Sequence, residues 1–216
     1  MEDTIILALA TRNKGKTREI KDFLKDYPVE IRDLNDFGPI PEVVEDGETF
    51  DDNAYKKASF TAKILGYPAL ADDSGLCVEA LNGAPGVYSA RYAGEDATDA
   101  DNVAKLMAAM KDREDRRAHF QCVISIAVPT GAALTYEGRC DGILTHAPQG
   151  HNGFGYDPLF FFPEFGKTFA QLGMDEKAGV SHRGKALQEV AREMDMILEW
   201  IEINMPQFKR VECKGK

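Results

Sequence analysis

The sequence has no apolar run approaching the roughly 18–20 residues that a membrane-spanning helix needs, so no membrane span is expected. It has few cysteines. The four present, Cys77, Cys122, Cys140 and Cys213, stand far apart with no C-x-x-C pair, which removes the usual zinc and redox motifs and leaves a cytoplasmic protein with reduced thiols as the simple reading. His119, His146 and His151 show no metal-ligand spacing and read as structural or exposed. No Ser-His-Asp or Cys-His arrangement can be argued from residue order. Cations are in deficit: 26 Lys plus Arg against 36 Asp plus Glu give a net charge of −10. Such a body repels polyphosphate chains at long range, which argues against nucleic acid as a partner. The opening Met1-Glu2-Asp3-Thr4 is acidic where a secretory signal is basic. There is no internal repeat and no low-complexity linker.

What is present is ordinary for a globular chain. Its 216 residues, 44% hydrophobic and 29% charged, suit one domain or two closely joined lobes. Thr4 to Ala10 is a short apolar run suited to a strand buried on both faces. A polar turn follows, and then Ile20, Phe23, Leu24 and Tyr27 fall on one helical face. Val29 to Leu34 alternates like a strand. Thr49-Phe50-Asp51-Asp52 resembles a capping box with Asp in place of Glu, opening a helix with Phe50, Ala54, Ala58 and Leu65 on one face. Ala69-Leu70-Ala71 reads as a compact strand ending at Asp72-Asp73-Ser74-Gly75, with Leu76 to Leu81 continuing extended. A third helix starts near Thr98. Phe120–Val128 and Ala133–Gly138 form a hairpin around Pro129-Thr130-Gly131, and Ile143 and Leu144 either extend its second strand or form a further one. Pro148 to Lys167 shows no helical period. Leu187 to Ile201 reads as one long helix, and 206–216 as a polar tail set apart from a domain over 1–205. The class is α/β with an antiparallel hairpin in its sheet.

Four polar clusters could carry chemistry. Thr11-Arg12-Asn13-Lys14-Gly15-Lys16 crowds a strand-to-helix turn with cations; these oppose the helix dipole unless an anion compensates, which points to phosphate. The stretch Ala10-x-x-x-x-Gly15-Lys16-Thr17 also approaches a Walker A loop, but its first glycine is replaced by alanine. Asp72-Asp73 ends an apolar strand, where acids are unfavourable unless a cation shares the site. Adjacent strand positions face opposite ways, so one carboxylate enters a given cleft, and hard oxygens suit Mg²⁺ with phosphates. Taken alone, the same residues also fit an Asx-type turn with Ser74-Gly75 at its corner. Gly153-Phe154-Gly155-Tyr156-Asp157-Pro158 could lay a ring over a planar ligand, or simply be a glycine-rich turn with its aromatics in the core. Ser181 is an N-cap for His182 and Arg183 in a first turn where positive residues again hint at a ligand, with Lys177 just upstream. Cys122 reads as core, and Met107, Met110, Met194 and Met196 as helix packing or surface.

Together, Ala10–Lys16, Thr49–Ala54 with Lys57, Ala71–Leu76, Gly83–Tyr92, Gly153–Pro158 and Ser181–Arg183 occur in an order that closely resembles the bacterial noncanonical purine nucleoside triphosphate pyrophosphatases (dITP/XTP or inosine triphosphate pyrophosphatases). The resemblance covers nearly the whole chain. It implies a long mixed sheet flanked by helices, in two lobes around a central cleft, and a homodimer. It also implies Mg²⁺-dependent conversion of a purine triphosphate to monophosphate and pyrophosphate. By the same resemblance Thr11–Lys16 hold the triphosphate and Lys57 also lies at substrate. Asp73 is proton acceptor and metal ligand, with Ser74 beside it. Phe154, Gly155, Tyr156, Asp157, Lys177, His182 and Arg183 contact the nucleotide, chiefly at its base. Relatives often carry two adjacent acids before the Gly-x-Thr-Phe motif. Here that pair is Val44-Glu45, so the first acid is missing, and Glu45 or water takes its place as the second metal ligand. Two alternatives stand beside this reading: a pyrophosphatase for other modified nucleotides, and a non-catalytic nucleotide-binding protein.

Overall fold

The computed structural model describes residues 4–206; the acidic opening at 1–3, Cys213 and the tail from 207 onward lie outside them. Seven strands form one sheet in the order β2-β1-β3-β4-β5-β6-β7. They are β1 (Ile5–Leu9), β2 (Val29–Asp33), β3 (Ala69–Val78), β4 (Arg117–Ala127), β5 (Ala133–Leu144), β6 (Phe160–Phe162) and β7 (Lys167–Thr168). β1 pairs parallel with β2 and β3, and the remaining pairings are antiparallel, so the sheet is mixed. Six helices flank it: α1 (Lys14–Leu24), α2 (Phe50–Leu65), α3 (Asp99–Ala109), α4 (Met174–Val180), α5 (His182–Arg192) and α6 (Met194–Asn204). None of the described helices is long and apolar enough to cross a membrane.

Two hydrophobic clusters hold the sheet from its two ends. Leu70 of β3 and Cys122, Ile124 and Ile126 of β4 pack with Ile20 and Leu24 of α1, Leu187 and Val190 of α5, and Ile197 and Ile201 of α6. Further along the same strands, Leu76, Val78 and Phe120 join Leu106, Met110, Tyr156, Phe160, Phe162 and Phe169. On the other face, α2 meets the sheet first through Phe50 and Ala54 against Cys77 and Val123, and then through alanines, Ala58 and Ala62 against Ala8, Ala10, Ala69, Ala71 and Ala127. Side chains this small bring the α2 backbone close to the strands. Asp72 to Gly75 lie where β3 passes from the first cluster to the second.

That passage departs from the sequence reading. β3 runs straight through Asp72-Asp73-Ser74-Gly75, so there is no Asx turn, and the extended stretch stops at Val78 in a 3-10 turn over Glu79–Leu81. Cross-strand pairing with β4 along the whole stretch, Asp72 to Ile124 and Gly75 to Gln121, overrides the local turn preference of Asp, Ser and Gly. Gly75 is needed for space: a Cβ there would lie 2.4 Å from both Gly86 O and Ser89 Oγ. Gly75→Ala is therefore expected to destabilise the fold by roughly 1–3 kcal/mol, read as a lower midpoint in thermal unfolding.

Other differences have equally local causes. Thr49 does cap α2, its Oγ1 accepting from the Asp52 N–H at 3.1 Å, but the Asp52 carboxylate accepts from the Thr49 hydroxyl at 2.8 Å instead of from its backbone. A full reciprocal box opens α3, at Thr98 and Asp101. β6 and α4 have no sequence signal because one is three residues long and the other buries only Lys177. The long C-terminal helix is two helices interrupted at Glu193. Val190, Met194, Ile197 and Ile201 stay in one cluster across the break, so the apolar period hides it. α5 rests on β5 backbone to backbone, with the position a Cβ of Gly138 would take lying 2.0 Å from His182 O.

Candidate active site

A cleft of about 570 Å³ opens where Asp73 to Gly75 meet the start of α1. Of the residues singled out above, Thr11, Arg12, Asn13, Lys16, Glu45, Lys57, Asp73, Ser74, Phe154, Gly155, Tyr156, Asp157, Lys177, His182 and Arg183 line it, while Lys14 and Gly15 do not. Lys14 is the exposed first residue of α1. Gly15 makes room for an aromatic ring, since a Cβ there would lie 2.5 Å from Phe154 Cδ1. Asn13 caps α1, its Oδ1 accepting from the Lys16 N–H at 3.0 Å, and Thr11 Oγ1 accepts from the Asn13 N–H. The helix start, with its free N–H groups, is thus a built anion-facing end.

The two adjacent aspartates diverge as strand geometry requires. Asp72 faces α1 and α5. Arg183 Nε donates to its Oδ2 at 2.9 Å, Arg183 Nη2 and Ser74 Oγ donate to its Oδ1, Lys16 forms an ion pair with it, and the Cys122 thiol donates to Oδ2. Burial pushes the Asp72 carboxyl upward, but Arg183 and Lys16 prevail and hold it well below the usual range. Asp73 faces α2 instead. Lys57 Nζ donates to Asp73 Oδ1 at 2.6 Å and to Glu45 Oε2 at 3.2 Å. Asp73 Oδ2 is buried with no partner. Here burial dominates: the carboxyl is raised above its ordinary value although Lys57 and Lys16 pull the other way.

The α5 end of the cleft is a chain of alternating charges. Glu19 of α1 accepts from Lys177 of α4 at 2.9 Å and pairs with Arg183, and Lys177 also donates to Asp157 Oδ2 at 2.6 Å. The anion that a dipole argument asks for beside Arg183 therefore comes from within the chain, as Asp72 and Glu19. Asp157 also accepts from the Phe154 N–H at 3.0 Å. The Phe154 ring has Lys177 Nζ 4.9 Å and Arg183 Cζ 5.6 Å from its centroid, a cation–π arrangement. His182 stacks on Phe120, with centroids 4.6 Å apart, and its Nδ1 is buried without a partner. Burial, helped by Arg183 and Lys177, pushes the His182 pKa well down, so the ring is neutral.

Several residues in or beside the cleft carried no signal of their own. Glu19, beside the cleft, is one turn beyond Lys16 and belongs to none of the four polar clusters. Asp99 resembles any first-turn acid, yet it accepts from the Gly155 N–H at 2.7 Å. Arg91 closes the Gly83–Tyr92 motif and donates to the Glu45 carbonyl at 3.0 Å. Arg12 pairs with Glu42 and donates to Ile40 O, tying the segment before α2 to the α1 loop.

Among the described residues no three His, Cys, Asp or Glu side chains gather. Two carboxylates do meet through Lys57, and one of their oxygens is buried without a partner. Mg²⁺ commonly takes one or two carboxylates and fills its shell with phosphates and water, so Asp73 and Glu45 fit such an ion when a phosphate ligand accompanies it.

A sequence model described as the Ham1 family matches residues 7–193. A dITP/XTP pyrophosphatase of Syntrophobacter fumaroxidans is 65% identical over 196 residues, covering 91% of this chain and 84% of that protein. One from Desulfotalea psychrophila is 60% identical over 204 residues, covering 94% and 92%. Among solved structures, a HAM1 protein from Coxiella burnetii matches with a TM-score of 0.82 at 41% identity, covering 89% of this chain and 99% of that one.

Proposed function

This chain belongs to the Ham1 family, and from that premise we propose that it hydrolyses noncanonical purine nucleoside triphosphates (dITP, XTP and ITP) to the monophosphate and pyrophosphate. The observation that carries the reading is Asp73, buried in the cleft wall with one oxygen on Lys57 and the other unpartnered. That free oxygen accepts the proton of a water attacking the α-phosphorus. Its raised pKa makes it a stronger base than an exposed aspartate. The triphosphate lies against the start of α1, where Thr11, Arg12 and Asn13 line the cleft. Lys16 and Lys57 neutralise pyrophosphate as it leaves. Mg²⁺, held by Asp73 and Glu45, adds electrostatic neutralisation of the phosphates when bound. A homodimer in the cytoplasm belongs to the same reading.

Base choice falls to the α5 end. Phe154 stacks on the purine ring, with Gly155, Tyr156 and Asp157 shaping the turn that holds it. Arg183 has one N–H engaged through Nε, one through Nη1 and two through Nη2, which leaves one of its five donors for a ligand. A donor fixed there, with the neutral His182 beside it, donates to the O6 of hypoxanthine or xanthine and meets the amino group of adenine unfavourably. Mismatched buried donors can discriminate by roughly 10⁴.

The test is a panel of ITP, dITP, XTP, ATP, GTP and a pyrimidine triphosphate, assayed for pyrophosphate with Mg²⁺ and with chelator. Pyrophosphate is expected from the first three, with ATP slower by roughly a hundredfold or more. Equal rates on ATP and ITP, or release of orthophosphate in place of pyrophosphate, would refute the assignment.

A further inference from the structure

Residues 38–47 contain no helix or strand, yet they carry Glu45, whose carboxylate shares Lys57 with Asp73. Something must fix this irregular segment. Asn53 holds the far side of Glu45 by accepting from the Gly47 N–H at 2.8 Å. At Glu45 itself the main-chain anchor is Arg91, whose Nη2 donates to the Glu45 carbonyl at 3.0 Å.

Arg91 reaches across from a rigid root. It ends the 3-10 turn Gly86–Arg91. Within that turn Ser89 Oγ accepts from the Leu76 N–H at 2.9 Å and donates to Gly86 O at 2.6 Å, and the Tyr156 hydroxyl donates to Ser89 O at 2.9 Å. On the other side the buried Asn102 of α3 donates to Ala90 O at 3.0 Å and accepts from the Ala93 N–H at 2.7 Å. The backbone on both sides of Arg91 is therefore tied to β3 and to α3. The guanidinium carbon also lies 5.3 Å from the Tyr88 ring centroid, which orients the side chain over an aromatic face.

We propose that Arg91 is a positioning residue for the triphosphate end of the site: by holding the Glu45 carbonyl it keeps the Glu45 carboxylate joined to Lys57 and Asp73. A charge-assisted bond from a fixed element to a flexible one sets where the next side chain begins. Groups that orient a ligand-bearing residue typically matter by 10–100-fold in metal affinity or activity. The proposal rests on the reading of Glu45 and Asp73 given above.

Two measurements decide it, and the first needs neither metal nor nucleotide. In hydrogen exchange of the free protein, Arg91→Met is expected to speed exchange across residues 42–47 by roughly tenfold, with β3, β4 and α5 unchanged. Arg91→Lys, which keeps one charged donor, recovers part of that protection. In the second, Arg91→Met raises the Mg²⁺ concentration for half-maximal dITP cleavage by roughly tenfold, while the dITP-to-dATP rate ratio stays within about twofold. Unchanged exchange in 42–47 overturns the proposal. So does a variant whose only defect is a higher KM for nucleotide, which would place Arg91 directly on substrate. If the wild-type protein cleaves no nucleotide, the functional reading falls, and the exchange measurement still decides whether Arg91 holds the loop.

Discussion

Asp73→Asn is expected to leave nucleotide binding within about tenfold and to cut turnover by roughly a hundredfold or more. Asparagine keeps the shape of the side chain and an oxygen to accept from Lys57, but it cannot take a proton from water. On stability two effects oppose each other. Burial raises the Asp73 carboxyl above its ordinary value, so the ionised form is less favourable in the folded chain than in the unfolded one. That penalty is absent at acid pH, where both states are protonated, and grows as pH rises through the folded value. At neutral pH relief of that penalty offsets the loss of the buried Lys57's carboxylate partner, so the variant should unfold close to the wild type. Single-turnover kinetics beside a thermal melt reads both effects. Unchanged turnover would take Asp73 out of the chemistry.

Asp72→Ala should do the reverse, acting first on the fold. Asp72 is fully buried, as is nearly all of Arg183, and removing one partner strands the other, which typically costs about 3–5 kcal/mol. For a chain of this size that is a fall of roughly 10 °C in unfolding midpoint. The pH dependence carries its own sign. The Asp72 carboxyl is held well below the usual range, so its stabilisation is complete above the unfolded value of about 3.9. It is lost only as pH falls through the lower folded value. The gap between wild type and variant should therefore stay constant from neutral pH to about pH 4 and close below it. Replacing Arg183 by Met in the same chain should recover part of the loss, because a buried pair replaced whole is often neutral. A variant as stable as the wild type would show that the pair contributes nothing to the fold.

Much of this architecture was legible because apolar periods and caps report local structure directly. Thr4–Ala10 and Thr98 each mark an element that forms where the pattern puts it, and the Ile20–Tyr27 stripe marks α1, which stops at Leu24, short of Tyr27. The straight passage of β3 through Asp72–Gly75 was not, since polar side chains there satisfy one another only after α1, α2 and α5 have docked. The cleft residues follow the same division. Lys16, Lys57, Asp73 and Arg183 stand in ordered motifs, so their types and sequence were enough to single them out. Glu19 and Arg91 act through partners 164 and 46 positions away, and no spacing along the chain encodes such a pairing. Gly15 stands in a loop whose cations point to phosphate, yet its bare Cα receives the Phe154 ring, a demand that arises only once the turn at 153–158 folds over α1.

The seat of α5 on β5 has a consequence for altering this protein. Main chain touches main chain where the His182 carbonyl meets Gly138, with no deformable group between them to absorb a shift. The wall bearing His182 and Arg183 can therefore neither slide nor tilt to admit a larger or smaller nucleobase. Retuning preference in the laboratory has to proceed by exchanging groups that face the cavity, with residue 138 left as glycine in any library.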